Sequence, residues 1–389
     1  MIKKICFVIL SRANYGSIKS LMKAVQKNKK FKIQVIAGAS AIIKKFGEVH
    51  KEIKKDGFKI DDYLDFQSAQ LNLNSISKTV GTGTVALSKS FEKLKPDFIL
   101  TVGDRYETMS TAIASTYMNI PLIHTMGGER TGTLDESVRH SISKLAHLHF
   151  VANIDAKKRL IKMGEKSKNI FNVGCPRIDI VKKAIKKYSK TKLIKKLNQI
   201  GVGEKIEQND KLIVISQHPV TSEFNKSLKN YKQTILAVNK LNLDGYKIIW
   251  LWPNADPGSD EISGFIRTLR EKGSTKKVRF ITNMSPENYF QLLKECKCII
   301  GNSSSAIREG AFIGVPAVNI GTRQMTRLIS KNVTNVNYNQ NSIYKAIKYQ
   351  IKKKSYKSSK IYGDGNAANK IIRILKKIKK IDIQKLNTY

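Results

Sequence analysis

One segment of the sequence concentrates the residue types that enzymes use to move protons. From residue 124 to residue 140 it holds two histidines, three carboxylates, two arginines and three glycines, directly after an apolar run. The carboxylates are Glu129, Asp135 and Glu136, and this mixture is costly to bury without a use. His140 comes one helical turn after Glu136, on the same face of a predicted helix. We interpret the segment as an acid–base site, although Asp135 or Glu136 could serve only as a helix cap.

Two other chemically useful groups follow predicted strands earlier in the chain. Asp104 and Arg105 come directly after the apolar run 98–102, and Arg12 comes just after the first apolar run. A carboxylate at the carboxyl end of a strand is well placed for acid–base chemistry, and an arginine just before a helix can hold an anion. Asp104 could instead cap a helix, and Arg12 could be a solvated loop residue.

The second half of the chain offers donors for a phosphate. Ser303 and Ser304 belong to a Gly-Asn-Ser-Ser-Ser turn between a predicted strand and helix, whose N–H and hydroxyl groups could bind phosphate. Glu309 follows on that helix and could accept the hydroxyl groups of a ribose. Arg323 follows the next strand and offers a guanidinium to the same phosphates. A capped serine-rich turn would explain the serines but not the whole set.

Two more strand ends in this half carry candidate ligands. His218 precedes Pro219, which favours an extended backbone and would direct the imidazole into the cleft expected between the two domains. Asn254 and Asp256 lie in the segment 252–259, which follows another predicted strand and opens a helix. In doubly wound sheets, ligands bind beyond the carboxyl ends of the strands, so these residues should share one edge.

Short apolar, β-rich runs alternate with segments of helical period, which favours parallel sheets built from βαβ units. The alternation pauses in a lysine-rich polar stretch and then resumes, which places a boundary between two domains. We predict a Rossmann-like domain over 1–180, a linker over 181–210 and a second Rossmann-like domain over 211–365, with a cleft between the domains. The segment 366–389 should hold an amphipathic helix, and its apolar stripe favours packing onto a domain. The predicted strands are 5–10, 33–37, 98–102, 122–124, 149–152, 170–173, 212–216, 248–252, 278–282, 298–300 and 317–320.

The composition fits a globular chain of 389 residues, 41% of them hydrophobic, with a net charge of +41. Of the 71 basic residues, 58 are lysines spread along the chain, and we find neither a nucleic-acid-binding module nor a basic stripe with aromatics. We therefore expect no nucleic-acid partner. Eight of the 13 arginines lie in or beside the motifs above, which indicates an anionic, phosphate-bearing ligand. These arginines are Arg12, Arg105, Arg130, Arg139, Arg177, Arg308, Arg323 and Arg327.

The four cysteines, at 6, 175, 296 and 298, form neither a disulfide framework nor a complete metal site, so buried thiols in a reducing compartment are expected. The first apolar run is short and lacks a small-residue cleavage site, which indicates a strand rather than a signal peptide. No apolar run approaches about 18 residues, so no membrane span is expected. We predict a cytoplasmic protein without a membrane partner.

These motifs resemble those of the hydrolysing UDP-N-acetylglucosamine 2-epimerases, including the epimerase domain of the bifunctional sialic-acid enzyme. The resemblance covers nearly the whole chain, from residue 12 to residue 368, and the motifs occur in family order. The segment KIYGDGNA favours the sialic-acid type over the non-hydrolysing wall-polymer type. The matching segments are RANY, VGDR, HTMGGERTGTLDESVRHSISKLAHLHF, GCPRID, QHPVT, PNADPGS, GNSSSAIRE, NIGTRQ and SKIYGDGNA.

The resemblance implies a GT-B-like α/β fold of two Rossmann-like domains, in which the C-terminal helix in 366–389 packs back on the first domain and UDP is held mainly by the second. It implies that Asp104 and Asp135 are the catalytic carboxylates, with Glu136 and His140 beside them, and Glu129 could partly substitute for the family acid that Met126 replaces. It also implies that Ser303, Ser304 and Arg323 bind the diphosphate, that Glu309 binds the ribose and that Arg12 reaches the phosphates. His218 and Asn254 would line the nucleotide or sugar, and Arg105 and Asp256 complete the set of candidate substrate ligands.

The implied reaction removes the C2 proton of UDP-N-acetylglucosamine and expels UDP from C1, and water then adds to the glycal to release N-acetylmannosamine. A positioned base is needed because the C2 proton is weakly acidic, and cationic groups must stabilise the leaving diphosphate. The resemblance implies no cofactor and no metal, because no redox step arises and no metal-ligand spacing is evident. It also implies a homodimer or homotetramer.

Two positions depart from the family pattern. Met126 and Asn14 stand where family members usually carry an acid, which could weaken the elimination or mark another sugar. Three alternatives therefore stay open. They are the same chemistry on a modified UDP- or GDP-sugar such as a 2,4-diacetamido-trideoxyhexose, a GT-B glycosyltransferase, and a weakened sugar-nucleotide-binding protein.

Overall fold

The computed structural model describes residues 2–68, 72–131, 134–241, 245–253, 258–272 and 277–388. The chain divides into two compact units. The first unit comprises residues 1–130, 134–179 and 362–389, and the second comprises residues 180–361 together with 131–133.

Each of the eleven predicted strands occurs within two residues of its predicted limits. Three short strands, β3, β8 and β14, lie at sheet edges and were not predicted. The strands are β1 (Lys3–Ile9), β2 (Phe31–Gly38), β3 (Asp62–Leu64), β4 (Phe98–Val102), β5 (Leu122–Thr125), β6 (Leu148–Val151), β7 (Ile170–Asn172), β8 (Val202–Gly203), β9 (Lys211–Ser216), β10 (Tyr246–Leu251), β11 (Val278–Ile281), β12 (Cys298–Gly301), β13 (Ala317–Ile320) and β14 (Val333–Val336).

Helices alternate with these strands, and several begin at a side-chain cap such as Ser11 or Asn153. They are α1 (Arg12–Gln26), α2 (Val49–Lys55), α3 (Leu73–Leu94), α4 (Tyr106–Tyr117), α5 (Leu134–Leu145), α6 (Ile154–Lys162), α7 (Pro176–Lys186), α8 (Lys190–Ile200), α9 (Ser227–Asn239), α10 (Ser259–Glu271), α11 (Pro286–Glu295), α12 (Ser304–Ile307), α13 (Glu309–Ile313), α14 (Gln340–Lys352) and α15 (Ala367–Lys377). Short 3-10 turns lie at Ala39–Ala41, Lys44–Phe46, Ser167–Asn169 and Thr221–Lys226.

The first unit is built on a seven-stranded parallel sheet in the order β3-β2-β1-β4-β5-β6-β7. The strand order reverses between β1 and β4, because the chain runs outward from β1 to β3 and then returns to β4. Ile5, Phe7, Ile99 and Leu100 in these two central strands are fully buried. Successive residues in these strands are therefore apolar, with no alternation of apolar and polar residues, as expected for a sheet covered on both faces.

The second unit repeats this plan in the order β14-β13-β12-β9-β10-β11-β8. All its pairings are parallel except that of β8 with β11, and the strand order reverses between β9 and β12. Trp250 lies in its core, stacked on Phe280 and hydrogen-bonded to Tyr231. Both units are thus doubly wound α/β structures, which confirms the predicted fold class.

The lysine-rich stretch 181–210, predicted as a linker, is ordered and belongs to the second unit. Leu193 and Leu197 on α8 are buried, and β8 pairs with the edge of the sheet. Arg279 donates to carbonyl groups of this stretch, including Leu197 O at 2.8 Å and Asn198 O at 2.6 Å. The lysines dominate the sequence pattern, but the apolar side of α8 determines where the stretch packs.

The chain returns to the first unit at residue 362. Asp179 accepts hydrogen bonds from the N–H groups of Ala367 and Ala368, both at 2.8 Å, and so caps α15. Gly174 and Gly363 meet so closely that a Cβ on either would overlap the backbone of the other. Helix α15 ends at Lys377, shorter than the apolar pattern to residue 381 suggests.

Candidate active site

In the first unit, the predicted acid–base residues follow the strands beside the reversal of strand order. Gly103, with φ of +79°, turns the chain out of β4 and presents Asp104. The guanidinium of Arg139 on α5 forms an ion pair with Asp104, whose side chain is 25% exposed. Arg139 is itself buried and also donates to the Glu129 carbonyl at 2.6 Å. The carboxylate of Asp104 is therefore held in one orientation while part of it stays accessible.

Helix α5 carries three other predicted residues. Asp135 and Glu136 stand half-buried in its first turn, where the helix dipole favours acids. Glu136 Oε1 lies 3.7 Å from His140 Nε2, as the one-turn spacing predicts. Burial and the neighbouring Arg139 lower the pKa of His140, so a neutral imidazole is favoured near neutral pH.

Glu129 lies after β5 and is almost fully buried, at 3% exposure. His124, at the end of β5, is also buried, with Nε2 2.8 Å from Gly103 O and Nδ1 3.1 Å from Ser143 Oγ. Burial lowers the pKa of His124 to about 3, which keeps the ring neutral. His124 thus ties the turn before Asp104 to helix α5.

Arg105 and Arg12 lie at the starts of two helices on this edge. Arg105 precedes α4 and its Nε donates to Glu107 Oε1 at 2.6 Å, so its guanidinium is engaged within the protein. Arg12 is the first residue of α1 and is half-buried.

The two departures from the family pattern have packing roles. Asn14 accepts from Leu10 N at 3.2 Å and donates to Val102 O at 3.3 Å, which joins the ends of β1 and β4. An aspartate could accept the first bond but could not donate the second. Met126 is 5% exposed, with its sulfur 3.6 Å from that of Cys175, and its φ is +63°. Both side chains serve the interior of this unit.

In the second unit, the reversal between β9 and β12 brings His218 and the serine turn together. Asn302 Oδ1 accepts from His218 N at 2.7 Å, and its Nδ2 donates to His218 O at 2.8 Å. The carbonyl of Asn302 in turn accepts from Arg323 at 3.3 Å. Asn302 is 1% exposed. The sequence predicts no role for it, although its place between Gly301 and the serines could have indicated that it orders the turn.

Hydrogen bonds to buried residues hold the serine turn in place. Ser303 caps α12, and its hydroxyl lies 2.8 Å from that of Ser305. Tyr289 OH forms a short hydrogen bond with Ser305, and both residues are buried. Ser304 is half-buried in the first position of α12, and Glu309 is buried at the start of α13. The turn is therefore a rigid cluster of hydroxyl groups.

Asn254 and Asp256 lie outside the described residues. Among the described residues, no three His, Cys, Asp or Glu side chains are grouped so that they could hold a metal ion. All four cysteines are buried free thiols. Within the described ranges, no helix is long and apolar enough to cross a membrane.

Two doubly wound α/β units with polar residues at each reversal of strand order define a protein of the GT-B-like class. Solved structures agree with this fold. The chain superposes with a TM-score of 0.80 and 20% identity on UDP-GlcNAc 2-epimerase from Neisseria meningitidis bound to UDP-GlcNAc, covering 96% of this chain and 100% of that one. The structure of Methanocaldococcus jannaschii UDP-GlcNAc 2-epimerase in complex with UDP-GlcNAc and UDP superposes with a TM-score of 0.79 at 17% identity. The match covers 96% of this chain and 99% of that one.

Sequence comparison identifies the family. The profile of the UDP-N-acetylglucosamine 2-epimerase family matches residues 23–376, so the chain belongs to this family. It is 34% identical to the hydrolysing UDP-N,N'-diacetylbacillosamine 2-epimerase of Legionella pneumophila, over 97% of both chains. It is 35% identical to the hydrolysing GDP/UDP-N,N'-diacetylbacillosamine 2-epimerase of Campylobacter jejuni, over 85% of this chain and 83% of the relative. The UDP-N-acetylglucosamine 2-epimerase of Neisseria meningitidis is 30% identical, over 89% of this chain and 86% of the relative.

Proposed function

We propose that this protein is a hydrolysing 2-epimerase of a UDP-linked 2-acetamido sugar, which releases the free C2-epimeric sugar and UDP. The observation that carries the proposal is the Arg139–Asp104 ion pair at the end of β4. It fixes a partly accessible carboxylate at the reversal of strand order, where ligands of doubly wound sheets bind. Such a carboxylate meets the main requirement of the reaction, a positioned base for a weakly acidic C–H bond.

The reaction proceeds by elimination and then addition. A carboxylate of the Asp104 and Asp135 pair takes the C2 proton, the C–H electron pair forms the C1–C2 double bond, and the C1–O bond breaks to release UDP. Water then adds its hydroxyl group to C1, and a proton reaches C2 from the opposite face. Glu129, Glu136 and His140 lie beside the pair in sequence or on α5 and complete the proposed proton-transfer set.

The second unit supplies the proposed nucleotide ligands. Ser303, Ser304 and Arg323 bind the diphosphate, and Glu309 binds the ribose. The contact of Arg323 with Asn302 supports this assignment, because it orders a guanidinium next to the serine turn. Cationic and hydroxyl donors of this kind stabilise the charge that develops on the leaving diphosphate. His218, Asn254, Asp256, Arg12 and Arg105 complete the proposed substrate contacts.

Two relatives, 34% and 35% identical to this chain, favour UDP-N,N'-diacetylbacillosamine as the substrate. The product would then be a 2,4-diacetamido-trideoxy sugar. UDP-N-acetylglucosamine, which would give N-acetylmannosamine, is the second candidate, supported by the 30% identical Neisseria meningitidis relative. Either product would supply sialic-acid-type sugar biosynthesis in the cytoplasm, and we expect the enzyme to work as a homodimer or homotetramer without a cofactor.

Proton NMR in D2O with each sugar nucleotide tests the proposal. The expected result is a free sugar with deuterium at C2 and an equivalent amount of UDP, formed faster from the diacetamido substrate. A UDP-linked epimer would instead mean non-hydrolysing epimerisation. Transfer of the sugar to an added acceptor without exchange at C2 would indicate a glycosyltransferase, and binding without turnover would indicate a sugar-nucleotide-binding protein.

A further inference from the structure

The segment that follows α15 lies against the C-terminal end of α5. We call residues 383–388 the strap. The strap carbonyl of Ile383 lies 3.1 Å from His147 Nε2, and the N–H of Thr388 donates to Gly164 O at 3.0 Å. Asn387 Oδ1 accepts from Lys144 Nζ at 2.6 Å. The strap therefore contacts Lys144 within α5, His147 just after α5 and Gly164 just after α6.

The strap is anchored on one buried carboxylate. Glu165, 4% exposed, forms ion pairs with Lys385 of the strap at 2.8 Å and with Lys144 of α5 at 2.9 Å, and its Oε2 lies 3.0 Å from Nε2 of His149 on β6. Lys385 also donates to the carbonyl groups of Lys144 and Ala146, at 2.5 and 2.6 Å. A cation at the C-terminal end of a helix satisfies its last carbonyl groups and complements the helix dipole.

The same helix holds the proposed acid–base residues at its other end. Arg139 and Ser143 are one turn apart on the buried side of α5. Arg139 pairs with Asp104, and Ser143 contacts His124, which bonds the turn before Asp104. A shift of α5 along or about its axis would move both contacts at once.

We propose that the strap positions helix α5 for catalysis, with Lys385 and Glu165 as positioning residues that fix where Arg139 holds Asp104. The catalytic part of this inference rests on the proposed function. The structural coupling between the strap and α5 is independent of it. Lys385 makes no contact with the proposed acid–base residues, so it acts through α5. Displacements of about 1 Å at a reacting group can reduce turnover by about 100-fold.

The test compares Lys385→Met with Lys380→Met, a matched change at an exposed lysine just before the strap. We expect kcat of Lys385→Met to fall about tenfold relative to Lys380→Met, with KM and the UDP dissociation constant unchanged. Lys385→Arg, which keeps the cation, should recover most of the lost kcat. Equal kcat in the two methionine variants, or a parallel loss of kcat and UDP binding, would overturn the proposal.

Hydrogen exchange keeps the two proposals separable. In Lys385→Met, and in a chain ending at Asp382, the amides of α5 should exchange at least about threefold faster, while those of α9 in the second unit stay unchanged. Unchanged exchange in α5 would overturn the strap inference whatever the activity. If the wild-type protein turned over neither sugar nucleotide, the proposed function would fail, and faster exchange in α5 would still support the coupling.

Discussion

Asn302 binds a single residue, His218, through both ends of its side-chain amide, at 2.7 and 2.8 Å. The two residues follow adjacent strands, β12 and β9, so the bonds close the loops at the reversal of strand order in the second unit. In the first unit, the Asn14 side chain likewise bonds the ends of two adjacent strands, because it contacts Leu10 after β1 and Val102 at the end of β4. Each sheet thus has a buried asparagine that joins the loops where its strand order reverses.

Replacing Asn302 with alanine should weaken UDP binding by about tenfold, because the loop at His218 loses both bonds that hold it beside the serine turn. Isothermal titration with UDP measures the effect. Asn341→Ala serves as the control, since Asn341 is exposed in the same unit and contacts only Lys240 among the bonds described. An unchanged dissociation constant for Asn302→Ala would remove this pair from the nucleotide site.

Replacing Asp104 with asparagine should reduce kcat by about 100-fold or more, because the amide cannot accept the C2 proton. UDP affinity should stay nearly constant. Asp97, which lies just before the other end of β4 and accepts from Lys4 N, provides the control Asp97→Asn. Loss of UDP affinity in Asp104→Asn would show that Asp104 has a structural role instead.

Changing Arg139 to lysine should lower kcat with little loss of folding, because lysine keeps the charge but lacks the paired geometry of a guanidinium. Changing it to methionine should cost about 1–3 kcal/mol of unfolding free energy, because the partly accessible Asp104 carboxylate and the Glu129 carbonyl both lose their partner. Urea unfolding and steady-state kinetics measure the two effects. The exposed Arg373 of α15 gives the control change Arg373→Lys.

The stability of the first unit should fall below pH 6.5. The pKa of His124 is about 3 in the fold, against an ordinary 6.5, because burial disfavours the charged ring. The folded state therefore binds fewer protons than the unfolded state between these values, so stability is fully present above pH 6.5 and declines toward pH 3. For this residue the loss from pH 6.5 to pH 5 is about 2 kcal/mol. Urea midpoints of wild type and His124→Gln at the two pH values measure it, and the variant should show the smaller loss.

Gly301→Ala should destabilise the protein by about 2 kcal/mol or more, and Gly264→Ala should not. Gly301 has φ of +128°, and a Cβ there would overlap the backbone of Ser216. Gly264 lies inside α10 with open space around its Cβ position, so alanine should stabilise the helix by about 0.5–1 kcal/mol. Thermal unfolding of both variants tests the contrast.

The sequence predicts the central strands well because their apolar runs are short, continuous and bounded by polar turns. It does not predict β3 or β14, whose residues are partly exposed at sheet edges. The loops that follow β4, β5, β9, β12 and β13 could be assigned chemistry because parallel strands end on one edge. The assigned catalytic and ligand roles themselves stay predictions.

Other contacts could not be read from the chain. Asp179 caps a helix that begins at Ala367, and Glu165 is paired with Lys385, so the partners are far apart in sequence. No local pattern relates such residues. Arg139 belongs to the predicted acid–base segment and to the scarce arginines, but its ion pair with Asp104, 35 residues earlier in the chain, emerges only from the fold.

The first unit is assembled from separated stretches of chain, with residues 180–361 inserted before its last segment. On the ribosome, residues 1–179 therefore emerge long before α15 and the strap, and the second unit can fold while the first is still incomplete. Until residues 362–388 arrive, Asp179 and Glu165 each lack a partner that they have in the finished fold. A premature stop codon before residue 362 would consequently remove part of the first unit while sparing every residue of 180–361 in the second.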